Sequence, residues 1–231
     1  MKLCVISGGS AGIGAEAARL FLAAGYEVIN LSRRPCPVDG VHSIPADLGK
    51  PGFVADLDPT FAERIGAAEE IALIHNAGLL LNDAIGEVND DNLRRSLEIN
   101  VVASSALNNA VLPHMGSGSS VIYVGSTLSE KAVAGTASYV IAKHAVVGMM
   151  RATCQDLIGR QIHTACVCPG FTDTEMLREH VPGEALAQIG AASTFGRLIQ
   201  PIEIAETLLN VARSPVLNGA VIHANLGQVE H

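Results

Sequence analysis

Residues 7 to 14 read Ser-Gly-Gly-Ser-Ala-Gly-Ile-Gly and lie between an apolar run, Leu3 to Ile6, and a helical pattern, Gly12 to Ala24. Glycine allows a tight turn and lets a ligand approach the main chain closely. The free N–H groups and positive dipole end of the helix that follows favour an anion here. The pattern therefore predicts a pyrophosphate-binding turn and a dinucleotide ligand. We expect the turn to contact that ligand through Ser7, Gly8, Ser10, Gly12, Ile13 and Gly14.

Short apolar runs alternate with helical patterns along the rest of the chain. The runs are Leu3–Ile6, Glu27–Leu31, Ile71–His75, Ser120–Val124, Ile162–Cys168 and Gly219–His223. The helical patterns are Gly12–Ala24, Asp90–Leu112, Thr136–Leu157 and Pro201–Ala212. Unbroken aliphatic runs are typical of strands buried on both faces, and the alternation predicts right-handed βαβ units. We therefore predict an α/β fold, a doubly wound Rossmann-type parallel sheet of about seven strands with helices on both faces.

The segment from Arg34 to Ala46 interrupts this alternation. Pro35, Pro37, Gly40 and Pro45 leave little room in it for a crossover helix. We predict an extended loop that contains a short strand near Val41 to Ile44. Because no repeat, low-complexity tract or linker follows, residues 1–231 are predicted to form a single domain.

Composition excludes several classes of protein. The chain has 231 residues, of which 48% are hydrophobic and 16% charged, so it is not a disordered chain. Its net charge of −8 argues against nucleic acid or an acidic membrane surface as partner. Apolar runs are too short for a membrane span or a signal peptide, and we predict a cytoplasmic protein.

Cysteine and histidine positions do not indicate a metal site. The five cysteines include no CxxC pair or Cys/His cluster at ligand spacing. Cys166 and Cys168 alternate along an apolar run, so we expect both on one face of a strand as small core residues, with a redox role as the alternative. We expect His75 and His144 to be structural.

Three polar residues predict acid–base chemistry on a carbonyl. Tyr139 and Lys143 are four residues apart in a helical pattern and so share one face, and Ser126 follows an apolar strand. Carbonyl reduction needs a proton for the oxygen, and a phenol, with a pKa near ~10 in water, supplies it better when an ammonium stabilises the phenolate. A serine hydroxyl can stabilise the negative charge that develops on that oxygen.

These motifs together resemble those of the short-chain dehydrogenase/reductase family. Gly8, Gly12 and Gly14 have the spacing of its TGxxxGxG turn, with Ser7 in place of threonine. The resemblance continues through Asp47-Leu48, Asn76-Ala77-Gly78, the helix asparagine Asn100, and Pro169-Gly170 followed by Thr174, from Ser7 to about Gly227. It implies a nicotinamide-dependent oxidoreductase with Ser126, Tyr139, Lys143 and Asn100 as catalytic residues.

The resemblance also implies positions and partners. Asn100 would hold a water that carries protons between Lys143 and solvent. The implied cofactor contacts beyond the glycine-rich turn are Asp47, Leu48, Asn76, Ala77, Gly78, Tyr139, Lys143, Pro169, Gly170, Thr172 and Thr174. Relatives pair through helices that correspond to Asn100–Leu112 and Thr136–Leu157, which implies a homodimer or homotetramer.

The end of the second strand favours NADP(H) as the cofactor. NAD-preferring proteins usually carry an acidic residue there, which accepts a hydrogen bond from the 2′-hydroxyl. This chain has Ser32 instead, followed by Arg33 and Arg34, whose guanidinium groups can bind a 2′-phosphate. The alternative is that both arginines are solvated surface residues, as we expect for Arg94 and Arg95.

Substrate identity is only broadly indicated. Leu79, Leu80, Leu81, Val133, Met176 and Leu177 predict an apolar pocket for a small or lipophilic ketone. The segment 175–192 is predicted to be a lid over it. One alternative is a 3-oxoacyl-[acyl-carrier-protein] reductase, although no strong basic cluster is visible for that anionic carrier. Another is a non-catalytic NADP-binding regulatory protein, which would have no need of all four catalytic residues.

Overall fold

The protein is built around one sheet of seven parallel strands, as seen in a computed structural model that describes residues 1–191 and 193–228. The strands are β1 (Lys2–Ser7), β2 (Glu27–Ser32), β3 (His42–Pro45), β4 (Glu70–His75), β5 (Ser120–Val124), β6 (His163–Pro169) and β7 (Ala220–Ala224). The helices are α1 (Gly12–Ala23), α2 (Thr60–Ala67), α3 (Asp90–Leu97), α4 (Ala103–Val111), α5 (Ala137–Asp156), α6 (Glu175–His180), α7 (Gly183–Ala191) and α8 (Pro201–Ala212). None of them, within these residues, is long and apolar enough to cross a membrane.

Each face of the sheet packs against its own helices. One core places Phe61 of α2, Leu107 of α4 and Met150 of α5 against the aliphatic residues of the strands. The opposite core places Phe21 of α1 and Leu208 of α8 against the other face. Central strands are therefore buried on both sides, which explains why they read as unbroken aliphatic runs. The predicted doubly wound α/β sheet is confirmed.

The strand order positions the ligand-binding cleft. The strands follow the order β3-β2-β1-β4-β5-β6-β7. From β1 the chain adds β2 and β3 on one side, and it then crosses back to add β4 to β7 on the other side of β1. Ser7 at the end of β1 is paired in register with His75 at the end of β4. The turns that follow these two strands therefore meet at the topological switch point, where open α/β sheets bind ligands.

Differences from the predicted elements are local. The strand between residues 33 and 46 is β3, one residue later than predicted, and residues 33–41 contain no helix. The predicted helix from Asp90 to Leu112 consists of α3, a π-helical turn at Glu98–Val102, and α4. Helix α2 was not anticipated, because its eight residues are too short for a distinct helical pattern.

Candidate active site

The turn after β1 presents main-chain donors to the cleft. Gly8 and Gly12 have positive φ values, 73° and 52°, which only glycine adopts readily. Helix α1 begins at Gly12, and no side chain caps its first turn, which also lacks an acidic residue. Its leading N–H groups therefore have no intrahelical or side-chain partner. This arrangement, with Gly12 and Ile13 lining the cleft, suits a pyrophosphate.

Ser7 and Gly14 shape this turn from behind and do not line the cleft. The Ser7 hydroxyl oxygen accepts the backbone N–H groups of Asn76 and Ala77, each at 3.1 Å. The Asn76 amide in turn donates to the Gly8 carbonyl at 3.0 Å. A β-carbon on Gly14 would lie 2.2 Å from that same carbonyl oxygen, so only glycine fits. The glycine-rich turn and the turn after β4 are thus locked together.

The end of β2 is organised by a buried asparagine, Asn30. Its Oδ1 accepts the N–H of Gly9 at 2.8 Å, and its Nδ2 donates to the Ser43 hydroxyl at 3.3 Å. The Ser32 hydroxyl donates to the Arg34 carbonyl at 2.6 Å, which fixes the backbone of the arginine pair. Both Arg33 and Arg34 line the cleft. The last residue of β2, before these arginines, is Ser32 and not an acidic residue.

Tyr139 and Lys143 lie one turn apart on α5 and both line the cleft. Lys143 is only 3% exposed, and its Nζ donates to the Val124 carbonyl at 2.8 Å. That Nζ lies 5.5 Å from the centroid of the Tyr139 ring. A buried ammonium with one hydrogen bond to the protein keeps two further protons for a ligand. The prediction that these two residues share a face of one helix is confirmed.

Ser126 follows β5, two residues after the Val124 carbonyl that Lys143 contacts, and also lines the cleft. Its Oγ accepts the N–H of Leu128 at 3.1 Å, while its own N–H donates to the Ser129 hydroxyl at 3.1 Å. These two bonds hold the side chain in place and leave its hydroxyl proton for an oxygen in the cleft.

Asn100 lies in the π-helical turn and is buried behind the cleft instead of lining it. Its Nδ2 donates to the carbonyls of Leu79 and Ser96, at 3.0 and 2.9 Å, and its Oδ1 accepts the N–H of Leu79 at 3.3 Å. A β-carbon on Gly78 would lie 3.1 Å from this Oδ1 and 3.5 Å from Lys143 Nζ. Asn100 and Lys143 therefore flank the same glycine, and π-helical turns are frequent at functional sites.

The start of α5 is held by Asp83, a residue that sequence reasoning missed. One carboxylate oxygen accepts the N–H of Ser138 at 2.8 Å, and the other accepts the Ser138 hydroxyl. Main-chain bonds reinforce the contact: Asp83 N–H donates to Gly135, and Ala137 N–H donates to Asp83, each at 3.0 Å. Asp83 thus caps the helix that carries Tyr139, although the α5 N-cap residue, Thr136, makes no side-chain cap. A carboxylate five residues beyond a glycine turn gives no local signal of this distant contact.

Cys166 and Cys168 lie beside Gly125, the residue that precedes Ser126. Both are fully buried on one face of β6, with their sulfur atoms 3.8 Å apart. A β-carbon on Gly125 would lie 2.8 Å from each sulfur. The prediction of two buried residues on one strand face is confirmed, and together they fix the position of the backbone that leads into Ser126.

His75 packs deeper in the same core. Its Nε2 lies 2.8 Å from Asn108 Oδ1, and its ring stacks on Tyr123 with centroids 4.8 Å apart. Burial lowers its pKa to about 4, partly opposed by the hydrogen bond to Asn108. No group of three metal-ligating side chains exists among the described residues.

The cleft that these elements enclose has a volume of about 1110 Å³. The predicted site residues that line it are Gly8, Ser10, Gly12, Ile13, Arg33, Arg34, Asp47, Leu48, Asn76, Ala77, Gly78, Ser126, Tyr139, Lys143, Pro169, Gly170, Thr172 and Thr174. The apolar residues Leu79, Leu80, Val133, Met176 and Leu177 line it as well, whereas Leu81 does not. The predicted lid, 175–192, comprises α6 and α7, and its last residue lies outside the described residues.

Both arginines of α3 are exposed, as predicted, and one of them also lines the cleft. Arg94 pairs with Asp90 and Asp91 on an exposed face, as expected. Arg95, one residue further, lines the cleft together with Ile99, which lies in the π-helical turn that continues α3. The four-residue spacing from an apolar residue was the available signal, because it puts both side chains on one face.

A parallel sheet with a glycine-rich turn at its switch point, and a tyrosine–lysine pair in the adjoining cleft, defines a Rossmann-type dinucleotide-binding oxidoreductase. The family model described as short chain dehydrogenase matches residues 2–185. The chain belongs to the short-chain dehydrogenase/reductase family.

Individual relatives cover nearly the whole chain at low identity. Carbonyl reductase family member 4 of Xenopus tropicalis is 24% identical, over 96% of this chain and 95% of its own. The 3-oxoacyl-[acyl-carrier-protein] reductase of Homo sapiens is 26% identical, with the same coverage of 96% and 95%. A crystal structure of a blue fluorescent protein from a metagenomic library, in complex with NADPH, has a TM-score of 0.88 and 27% identity, over 99% of this chain and 98% of that one.

Proposed function

We propose that the protein is an NADP(H)-dependent reductase and dehydrogenase that interconverts a carbonyl and a secondary alcohol. The observation that carries the proposal is one cleft lined by Tyr139, Lys143 and Ser126, with Arg33 and Arg34 following β2 on the other side of the switch point. The whole described chain forms one catalytic unit around the sheet, with α6 and α7 as its lid. Its cytoplasmic location remains a prediction.

The chain supplies the proton and the charge stabilisation for this reaction. A bound nicotinamide supplies the hydride in the reductive direction. Tyr139 gives its phenolic proton to the carbonyl oxygen, and the ammonium of Lys143 stabilises the phenolate that remains. The Ser126 hydroxyl donates a hydrogen bond to the same oxygen as negative charge develops. Asn100, which braces the turn beside Lys143, supports a water that returns the proton from solvent.

The proton donor is tested by replacing Tyr139 with phenylalanine. We expect kcat for carbonyl reduction to fall by about 10² to 10⁴, the usual contribution of a positioned acid, while NADPH still binds. NADPH binding with no turnover of any carbonyl by the wild-type protein would favour the non-catalytic regulatory alternative. Wild-type turnover by the phenylalanine variant would show that another group supplies the proton.

Cofactor choice is tested by fluorescence titration with NADPH and NADH. Arg33, which lines the cleft, and the serine at position 32 support tighter binding of NADPH. Replacing either Arg33 or Arg34 by alanine should weaken NADPH binding and leave NADH binding unchanged. Arg94→Ala is the matched control, since Arg94 is exposed on α3 and does not line the cleft. Equal affinity for both cofactors in the wild-type protein would contradict NADP(H) dependence.

The substrate proposal is a small or lipophilic ketone, and it is based on the apolar residues that line the cleft: Leu79, Leu80, Val133, Met176 and Leu177. The competing substrate is a 3-oxoacyl thioester on acyl carrier protein, the substrate that the names of several relatives state. The net charge of −8 opposes an acidic carrier. Comparing kcat/KM for lipophilic ketones, a free acetoacetyl thioester and the carrier-bound thioester separates the two. A large preference for the carrier-bound form would favour the second.

We also propose a homodimer or homotetramer, formed through the helical regions 100–112 and 136–157. Val102 and Ile141 support this arrangement, because these aliphatic side chains are 46% and 41% exposed on those regions. Light scattering after size exclusion tests it. A monomer at micromolar concentration would contradict the proposal.

A further inference from the structure

An ion pair crosses the mouth of the cleft. Arg34 belongs to the segment after β2, and Glu175 is the first residue of the lid helix α6. Arg34 Nη2 lies 2.8 Å from Glu175 Oε2. Both residues line the cleft, and their side chains are 64% and 62% exposed. The pair therefore joins the lid to one of the two arginines proposed to bind a 2′-phosphate.

The base of α6 is fixed independently of this pair. The Thr174 hydroxyl accepts the N–H of Leu177 at 3.3 Å and so caps the helix. The methyl group of Thr174 lies 3.1 Å from where a β-carbon of Gly12 would stand, so the helix starts directly against the glycine-rich turn. Asp173 also holds Arg178 through two bonds, of 2.7 and 2.8 Å. Because the backbone at Glu175 is held by these contacts, its carboxylate can leave Arg34 by side-chain rotation alone.

Arg33 and Arg34 differ in their charged neighbours. Arg34 faces a second carboxylate of α6, Glu179, and its pKa is raised mainly by the hydrogen bond and attraction to Glu175. Arg33 has no ion pair or hydrogen bond with any residue that the structure describes. Arg33 is thus available to a ligand, whereas Arg34 is already paired with a carboxylate.

We infer that Glu175 is a determinant of cofactor selectivity, because its carboxylate competes with the 2′-phosphate of NADP(H) for Arg34. The inference rests on the proposed NADP(H) dependence. A phosphate monoester near neutral pH carries more negative charge than a carboxylate and accepts a guanidinium fork equally well. When it takes Arg34, Glu175 must turn away, since two anions at one guanidinium repel each other. NAD(H) has no such group and leaves the pair intact, so Glu175 weakens the binding of NADP(H) only.

Glu175→Gln tests this competition, because it removes the charge and keeps the shape. We expect the Kd for NADPH to fall about two- to fivefold, the range in which exposed ion pairs contribute, and the Kd for NADH to stay unchanged. Glu179→Gln is the matched control: it makes the same charge change one turn further along α6, at a residue that forms no ion pair with Arg34, and should have a smaller effect. In an Arg34→Ala background, Glu175→Gln should no longer strengthen NADPH binding. Thermal unfolding of each variant checks that the fold is retained.

A weaker binding of NADPH by Glu175→Gln would identify a different role for the ion pair between Arg34 and Glu175. If Glu175→Gln weakens NADPH and NADH binding alike, the pair closes over either cofactor as a clasp, and the competition is refuted. An unchanged NADPH affinity in Glu175→Gln refutes it equally. An unchanged NADPH affinity in Arg34→Ala also refutes the competition, because Arg34 would then not bind the 2′-phosphate. These results stand apart from the proposed function, which fails if the wild-type protein does not prefer NADPH.

Discussion

Replacing Asp83 by alanine should loosen the helix that carries Tyr139. The carboxylate is the side-chain partner of the Ser138 N–H and hydroxyl at the first turn of α5. Alanine removes both acceptors and a negative charge that lies favourably at a helix N-terminus. Ser138 is completely buried, so its N–H and hydroxyl would lose their partners where solvent does not reach them easily.

The expected cost follows from these two contributions. Loss of a capping side chain costs about 0.5 to 2 kcal/mol, and loss of the charge at the helix end a further ~0.3 to 1 kcal/mol. A total of about 2 kcal/mol lowers Tm by about 4 to 8 °C in a chain of this length. Because Tyr139 is the next residue after Ser138, we also expect kcat to fall about tenfold through misplacement of the phenol.

Thermal unfolding followed by circular dichroism and steady-state carbonyl reduction measure the two effects. Asp83→Asn is the matched variant, since its amide oxygen can still accept the Ser138 N–H, and it should recover about half of the lost stability. NADPH affinity should stay close to that of the wild-type protein, because Asp83 does not line the cleft. An Asp83→Ala protein with wild-type Tm and kcat would refute the assignment of Asp83 as the cap of α5.

Three further substitutions probe the walls of the cleft and the core. Asn30→Ala should lower the free energy of unfolding by about 2 to 4 kcal/mol in urea denaturation and weaken NADPH binding, because the N–H of Gly9 loses its partner. Gly125→Ala should destabilise the protein by about 1 to 3 kcal/mol and reduce kcat, because the new β-carbon would stand 2.8 Å from the Cys168 sulfur; adding Cys168→Ala should restore part of both. His75 has a folded-state pKa of about 4, against an ordinary value of 6.5. Its contribution to the free energy of unfolding is therefore complete above pH 6.5, and up to about 3 kcal/mol of it is lost as the pH falls towards 4. Between pH 7 and pH 4.5 the free energy of unfolding should fall less in His75→Gln than in the wild-type protein. An equal fall in the two proteins would contradict this source of acid sensitivity.

The alternation of aliphatic runs with helical patterns was enough to predict the architecture. Strands buried on both faces need continuous aliphatic residues, so β1 and β4 to β6 could be recognised from composition alone. Proline fixes φ and removes a donor, so the absence of a helix between β2 and β3 could also be predicted from Pro35 and Pro37. Helix α2 could not, since only Phe61 and Ile65 of its residues are buried.

The candidate site was predictable where chemistry and local spacing coincide, as at Tyr139 and Lys143. Contacts between distant segments were not, because residue types carry no information about a partner far along the chain. Asp83 reaches Ser138 across more than fifty residues, and Glu175 meets Arg34 across 141. The burial of Asn100 behind the cleft could not be predicted for a different reason: it depends on a local π-helical turn, which no apolar period reveals.

The missing helix between β2 and β3 has a kinetic consequence. Residues 33–41 make no helical hydrogen bonds. The Arg34 carbonyl accepts from the Ser32 hydroxyl at 2.6 Å and from the Asn30 amide at 3.4 Å, and the Arg34 side chain pairs with Glu175. Further along, Cys36 N–H donates to the Ser43 hydroxyl at 2.9 Å, and Val41 N–H donates to the Val38 carbonyl at 3.3 Å. Opening such a segment breaks only a handful of bonds, so its amide hydrogens should exchange earlier than those of the central strands. The segment that carries Arg33 and Arg34 is therefore a side of the cleft that we expect to open by local fluctuation, without unfolding of the sheet.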